Sequence, residues 1–310
     1  MSKKSEAILI HIIIYGSAIA ASYGIFSFIS NDSQSYFTNL FLSNLIGCLI
    51  IYINCIVFDS FSINDPNWTI QTFIYSLYHQ NQTKIYTTRA FLVLFLVSIW
   101  CIRLTYNLYS TAVEHISHED WRFSDLRLKW RPKLVYFIFG FFGIILIPYV
   151  ITFFGCLPLY YVFTSSKPLN YMDIFAYLTL SSGILIESIA DYQLSNEFKK
   201  AEKEKRIRLM DKGLWSQCRH PNYFGEILFW FGMFLFGWSS GASFNDTTNL
   251  IAFILGPFGV FFLIYFISLP LMEERQLMRK KELYREYIKK VPFKILPINF
   301  ISKKIQNLIN

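Results

Sequence analysis

The densest group of polar residues in this 310-residue chain is the segment 213–226, GLWSQCRHPNYFGE. Arg219 and His220 supply hydrogen-bond donors, and the proline after them suits the first position of the apolar helix that follows. A helix N-terminus beside Arg and His can bind a phosphate or pyrophosphate, and Asn222 and Tyr223 add orientable hydrogen bonds. A basic interfacial turn facing lipid headgroups would show the same pattern, and both interpretations stay open.

A second group consists of the carboxylates Glu187 and Asp191, near the end of an apolar run. Their spacing of four places both on one face of a helix. Acidic side chains at membrane depth are costly and usually face a cavity or a partner. We therefore predict a functional site here, and pairing with Arg103 or with the lysines just beyond is the structural alternative.

A third group lies in the segment Trp100–Phe123. Arg103, Tyr106 and Asn107 are three and four residues apart and therefore share one helical arc. A turn with the sequence DPNW precedes this segment and begins at Asp65, since Asp-Pro favours turns and Trp prefers the membrane interface.

Metal binding is not expected in this segment. His115, His118 and Glu119 could suggest ligation, but no further His or Cys cluster accompanies them. The residues that follow resemble a loop fixed by ion pairs and an interfacial Trp: Asp120, Trp121 and Arg122.

Long apolar runs must position these groups. Only 16% of the residues are charged, against about 25% in a typical soluble domain. In lipid every backbone polar group must be paired internally, so these runs should be helices. Seven runs carry little or no charge: Ala7–Ile29, Leu40–Phe58, Ala90–Cys101, Leu134–Phe163, Tyr171–Ile189, Ile227–Trp238 and Leu250–Leu271. The sequence therefore predicts an all-α, polytopic transmembrane bundle of about seven spans.

The run Leu134–Phe163 is long for one span and contains Pro148 and Pro158, so it could be kinked, tilted or split. We expect residues 1–310 to form one membrane domain that ends in a basic tail, 273–310.

The basic loops predict the orientation of the spans. Lys and Arg concentrate in Ser110–Lys133, Asn196–His220 and the tail from Glu273, whereas Asn31–Asn39 and Ser239–Asn249 contain none. We therefore expect the basic segments and the C-terminus to be cytoplasmic. With seven spans, Lys3 and Lys4 fall on the opposite face. Topology accounts for the net charge of +8, and no nucleic-acid partner is needed.

Glycine spacing excludes two common nucleotide sites. The chain contains neither G-x-G-x-x-G nor G-x-x-x-x-G-K-[ST], so no Rossmann or P-loop phosphate site is expected. A nucleotide would have to be held by loops and helix ends.

Together these motifs resemble the steroid 5-alpha-reductase-like membrane proteins once grouped only as a domain of unknown function. The resemblance runs through residues 64–298, and residues 1–64 add only hydrophobicity. It rests on the following motifs in order: DPNW, W-x-x-RLTYN at 100–107, HEDWRF at 118–123, GCLP at 155–158, E-x-x-AD-x-Q at 187–193, GLWSQCRHPNYFGE, and Tyr284-x-x-Tyr287 before Pro297.

The resemblance implies a membrane-embedded reductase that uses NADPH to saturate an activated C=C bond of a lipid-like substrate, such as an enone, a sterol or an enoyl group. A tyrosine, Tyr106, would polarise the substrate carbonyl, and Asp65 is the second catalytic candidate. The cofactor-binding residues that the resemblance implies are Arg103, Asn107, Glu187, Asp191, Arg219, His220, Asn222, Tyr223 and Tyr287. The substrate-polarising Gln-Glu pair of the characterised steroid reductases has no counterpart in the second span, so steroid specificity is not implied.

Two alternatives remain open. A methyltransferase similar to the isoprenylcysteine carboxyl methyltransferases would bind S-adenosylmethionine through the RHP-x-Y-x-G turn and the pair Glu273 and Glu274. A non-catalytic subunit of a membrane complex would keep the fold as a scaffold. In each case we expect a multi-pass protein of the endoplasmic reticulum or another intracellular membrane, in contact with membrane lipids.

Overall fold

The computed structural model describes residues 2–30, 36–111, 113–242 and 247–300. These residues contain helices and no strand, so the predicted all-α polytopic bundle is confirmed. Six of the described helices are long and apolar enough to cross a membrane. The chain divides into two compact units, the first formed by Met1–Tyr78 and Val97–Phe154, the second by His79–Leu96 and Gly155–Asn310.

The helices are numbered in chain order. The first part of the chain forms α1 Lys3–Ile29, α2 Tyr36–Val57, a 3-10 turn Phe61–Asn64, α3 Asn67–Thr83, α4 Thr88–Thr111, α5 Trp121–Lys129 and α6 Lys133–Gly140. The remainder forms α7 Ile147–Thr164, α8 Tyr171–Lys203, a 3-10 turn Gly213–Ser216, α9 Pro221–Ser239, α10 Thr247–Phe262, α11 Leu269–Lys280 and α12 Glu282–Lys290.

The long run Leu134–Phe163 is one continuous crossing. A π-helical turn, Phe141–Leu146, joins α6 to α7, and the helical path extends over Lys133–Thr164 without a break. A second π-helical turn, Leu263–Ser268, joins α10 to α11 in the same way. A π turn widens the helix locally without interrupting it, so neither run is split.

Helix α3 is a further helix that the apolar runs did not predict. In the first unit its start lies beside the end of α4, since the hydroxyls of Thr69 and Thr105 are 3.1 Å apart. Its far part lies beside the end of α1, where the rings of Tyr78 and Phe26 are 5.7 Å apart. The helix is 17 residues long, which corresponds to roughly 25 Å. It contains no charged residue.

The N-terminus lies beside the basic loop of the first unit. The Lys4 ammonium donates to the carbonyl of Ser110 over 3.3 Å, and the rings of His11 and Tyr109 are 5.5 Å apart. Within this unit, Lys4 therefore lies at the end of α4 where the basic segment Ser110–Lys133 begins. A bundle of seven spans would instead place Lys3 and Lys4 on the opposite face.

In the second unit, α8 and α9 pack closely through glycines. A Cβ on Gly183 would lie 2.6 Å from the carbonyl oxygen of Gly225, and a Cβ on Gly232 would lie 2.6 Å from the Leu180 side chain. Small residues at these positions let the two backbones approach, as is common between membrane helices. Because Gly183 meets Gly225 and Leu180 meets Gly232, the two helices run antiparallel.

A buried ion pair fixes the start of α8 in the same unit. Arg89, 1% exposed, donates to both oxygens of the Asp173 carboxylate over 2.7 and 2.8 Å and also to the carbonyls of Lys167 and Pro168. The hydroxyl of Ser239 donates to the same carboxylate. This tie joins the loop before α8 to the end of α9.

Candidate functional site

The turn before α9 packs against the second half of α8. Gly213 has a φ of +59°, a conformation that favours glycine, and the Gln193 side chain lies against it. The backbone N–H of Leu214 donates to Oε1 of Gln193 over 3.0 Å, and the indole N–H of Trp215 donates to the carbonyl of Ala190. The turn is thereby held beside the α8 carboxylates.

A buried charge cluster then ties the turn to the C-terminal segment. Arg219 donates from Nε to Oε1 of Glu273 over 2.7 Å, and from Nη1 to the carbonyls of Val291 and Pro292 over 2.8 and 2.7 Å. The ring Nε2 of His220 lies 3.2 Å from the same Glu273 oxygen. We call Arg219, His220 and Glu273 the clamp.

The clamp includes two of the residues predicted to bind a cofactor, Arg219 and His220. Burial lowers the pKa of His220 below its ordinary value, although Glu273 opposes the shift. The imidazole is therefore neutral at pH 7, and Nε2–H donates to the carboxylate. Arg219 is 4% exposed, and two of its nitrogens bind acceptors of the chain itself. Both side chains therefore stabilise the turn, and their predicted contact with a phosphate stays a prediction.

Hydrogen-bond acceptors gather where α9 begins. Glu187 is 5% exposed and packs against Gly225, whose Cβ would lie 2.8 Å from that of Glu187. Because α8 and α9 are antiparallel, Asp191 is one turn further toward the start of α9. Asn222 lies there, and its Oδ1 is buried without a hydrogen-bond partner among the residues that the structure describes. We call Glu187, Asp191 and Asn222 the acceptor group.

The two predicted tyrosines of this unit make contacts within the chain. The Tyr223 hydroxyl lies 3.1 Å from the sulfur of Met272, and the Tyr287 hydroxyl donates to the carbonyl of Trp215 over 2.6 Å. Tyr287 is buried, and burial raises the pKa of its hydroxyl. Tyr287 therefore stabilises the turn as a neutral donor, and its predicted contact with a cofactor stays a prediction.

The remaining predicted residues belong to the first unit. Arg103 and Asn107 are half-buried on α4, as their shared arc predicts. Tyr106 is 74% exposed. The roles predicted for these residues in cofactor binding and catalysis stay predictions.

Asp65 lies at the start of α3, beside Arg122 of the HEDWRF motif. Its Oδ1 is 3.7 Å from a guanidinium nitrogen of Arg122. Burial raises the pKa of the Asp65 carboxyl to about 7, against the opposing effect of Arg122. A carboxyl with this pKa can hold or release a proton at neutral pH, as its predicted catalytic role requires.

The DPNW and HEDWRF motifs interlock, which sequence spacing did not show. Glu119 accepts from the backbone N–H of Phe61, from the Tyr136 hydroxyl and from Arg127. The Ser60 hydroxyl donates to the carbonyl of His118. The ion pair predicted between Asp120 and Arg122 is confirmed, since Arg122 donates to Asp120 over 2.6 Å. The predicted loop is wrong, because Asp120 caps α5 and the two residues after it are helical.

The acceptor group fits part of NADPH. Carboxylate and amide oxygens accept hydrogen bonds, and ribose hydroxyls and the nicotinamide carboxamide can donate them. The phosphates need cations, and the guanidinium of Arg219 is already paired with Glu273. Lys212 is exposed immediately before the turn Gly213–Ser216 and is the basic residue nearest to that turn along the chain.

The sequence matches one family of proteins. The family described as a protein of unknown function, DUF1295, matches residues 51–291. An uncharacterized protein of Schizosaccharomyces pombe is 25% identical over 281 residues, which cover 84% of this chain and 79% of the relative. No solved structure is significantly similar. The match covers both interlocked motifs, the clamp and the acceptor group, and the chain belongs to the DUF1295 family.

Proposed function

We propose that this protein is a membrane-embedded reductase that uses NADPH to saturate an activated C=C bond of a lipid-like substrate. The observation that carries the proposal is the acceptor group at the start of α9. The amide oxygen of Asn222 is buried without a partner among the described residues, which is unfavourable in a membrane bundle unless a ligand donates to it, and the buried carboxylate of Glu187 lies on the neighbouring helix.

The chain's own residues would have distinct tasks. Glu187 and Asp191 would accept from ribose hydroxyls, and Asn222 would accept from the carboxamide. When bound, NADPH would supply a hydride for the β carbon of the substrate. The α carbon would then take up a proton, for which Asp65 is the candidate donor that we propose, and the clamp would keep the turn in place without contacting the substrate.

Thermal stability with and without NADPH tests the nucleotide site. A ligand present at about 100 times its Kd stabilises the folded state by about 2.7 kcal/mol, so the melting temperature of the full-length chain should rise. In Asn222→Ala the rise should be lost while the stability without NADPH changes little, because the amide oxygen has no partner to lose.

Asn54→Ala is the matched control. Asn54 is half-buried on α2, where its amide N–H donates to the carbonyl of Ile50 over 2.8 Å. This variant should keep the full response to NADPH. Stabilisation by S-adenosylmethionine instead of NADPH would contradict the proposal in favour of a methyltransferase. No response to either compound, with stable co-purification of other membrane subunits, would favour a structural role.

A further inference from the structure

The first unit contains a half-open cavity of about 400 Å³. This volume falls within the range of about 300–1000 Å³ that is usual for small-molecule sites. Its walls consist of residues of α1, α2 and α3 and one residue of α7, and most of their side chains are apolar or aromatic. The residues on which the argument depends are Tyr15, Gly16, Ser43, Asn44, Asn67 and Gln71.

The cavity contains polar side chains, but none of the described residues that line it carries a charge. The hydroxyls of Tyr15 and Ser43 already donate to backbone carbonyls, those of Ile63 and Leu40. The walls therefore provide no counter-charge for an ionised ligand, and a charge without one would be costly in such surroundings.

Two amide groups in the cavity have N–H donors to spare. Asn44 and Gln71 are each 7% exposed, and Nδ2 of Asn44 and Nε2 of Gln71 have no hydrogen-bond partner among the described residues. Gln71 is oriented by Asn67, whose amide N–H donates to Oε1 of Gln71 over 3.1 Å. This contact leaves the donor end of Gln71 available. A buried donor without a partner destabilises the folded protein unless a ligand accepts from it.

We propose that this cavity binds a neutral lipid through a carbonyl oxygen, with Asn44 and Gln71 as the donors. A carbonyl oxygen has two lone pairs and can accept from both amides. The apolar walls then bury the hydrocarbon part of the ligand. The proposal goes beyond the reductase activity, because binding here requires no nucleotide.

The first test removes the donors without changing the shape of the cavity. The probe is a tritium-labelled long-chain methyl ketone, and its equilibrium binding to the full-length chain in nanodiscs is measured without nucleotide. The double variant Asn44→Leu, Gln71→Met should bind the ketone on the order of tenfold more weakly. It should bind a hydrocarbon of the same length as well as the unmodified chain does. Asn54→Leu, on the same helix as Asn44 but outside the cavity, should bind both probes normally.

The second test fills the cavity. Gly16 lines it, and a Cβ on Gly16 would meet no atom within 4 Å. Gly16→Phe should therefore abolish binding of both probes while the helix still forms. Gly24 has equally open surroundings on the same helix but does not line the cavity. Gly24→Phe should bind as the unmodified chain does.

The outcomes separate this proposal from the reductase. Ketone binding that depends on both amides supports the cavity site, even if NADPH never reduces the ligand. Equal binding of ketone and hydrocarbon, unchanged binding in the double variant, or normal binding in Gly16→Phe would each overturn it. Reduction of a substrate by a chain with a filled cavity would leave the reductase intact and exclude the cavity as a required site.

Discussion

Arg219 and Asn222 show that neighbouring residues of one motif have different functions. Arg219 donates to Glu273 and to two backbone carbonyls, whereas the Oδ1 of Asn222 has no described partner. The sequence places both in the same turn and indicates a polar site correctly. It does not show that the arginine binds a carboxylate 54 residues later, because this contact depends on how the C-terminal segment folds back.

The pKa of Asp65 predicts how stability depends on pH. Its carboxyl has a pKa of about 7 in the folded protein and 3.8 as its ordinary value. A raised pKa means that the folded state binds the proton more tightly, so this contribution to stability is complete below about pH 4 and is lost as the pH rises through 7. Asp65→Asn should therefore raise the melting temperature at pH 8.

The measurement is thermal denaturation of both chains in the same detergent between pH 5 and pH 8. Their difference in melting temperature should grow with pH. A difference that is constant over this range would show that Asp65 is not protonated in the folded protein.

At the scale of the helices, the contact between α8 and α9 is the most sensitive to mutation. Gly183→Ala would place a methyl group 2.6 Å from the carbonyl oxygen of Gly225 and 2.8 Å from the amide nitrogen of Phe229. Both atoms belong to the backbone, so the helices must separate. Overpacking of this kind costs about 1–3 kcal/mol, and separation would also displace Glu187 from the start of α9.

Gly24→Ala is the matched control, because its new methyl group meets no atom within 4 Å. Both changes give the same gain in helix propensity. Thermal denaturation should show a lower melting temperature for Gly183→Ala alone, together with a weaker response to NADPH. Equal stability of the two variants would mean that the helices are not in close contact.

Apolar runs in the sequence are sufficient to predict several of the helices. The run Ile227–Trp238 lies within α9 and Leu134–Phe163 within the continuous crossing of α6 and α7, because hydrophobicity alone identifies a helix in lipid. Helix α3 was missed because its buried residues include Asn67, Thr72 and Ser76. Because these side chains are polar, no apolar run marks this helix. Its course is shown only by its contacts with α1 and α4.

For the whole molecule, counting α3 as a crossing changes the predicted topology. Counting crossings along the chain places the N-terminus, Ser110–Lys133, Lys199–Lys212 and the C-terminus on one face. We expect this face to be cytosolic because it contains the basic segments. Tags at the two termini should both be accessible from the cytosol in sealed membranes, and a tag in Ser239–Asn249 should be protected. Residues 243–246 of that loop lie outside the described residues. Opposite accessibility of the two termini would exclude α3 as a crossing.

The transfer of hydrogen from labelled cofactor to product tests the reductase proposal most directly. The full-length chain in nanodiscs is incubated with a long-chain enone and with NADPH that carries deuterium at both hydride positions of the nicotinamide, and the product is analysed by mass spectrometry. We predict a saturated ketone with a single deuterium on the β carbon, a solvent proton on the α carbon and an equal amount of NADP⁺. Asn222→Ala should form far less product than Asn54→Ala. Absence of deuterated product from a chain that binds NADPH and the enone would contradict the reductase assignment.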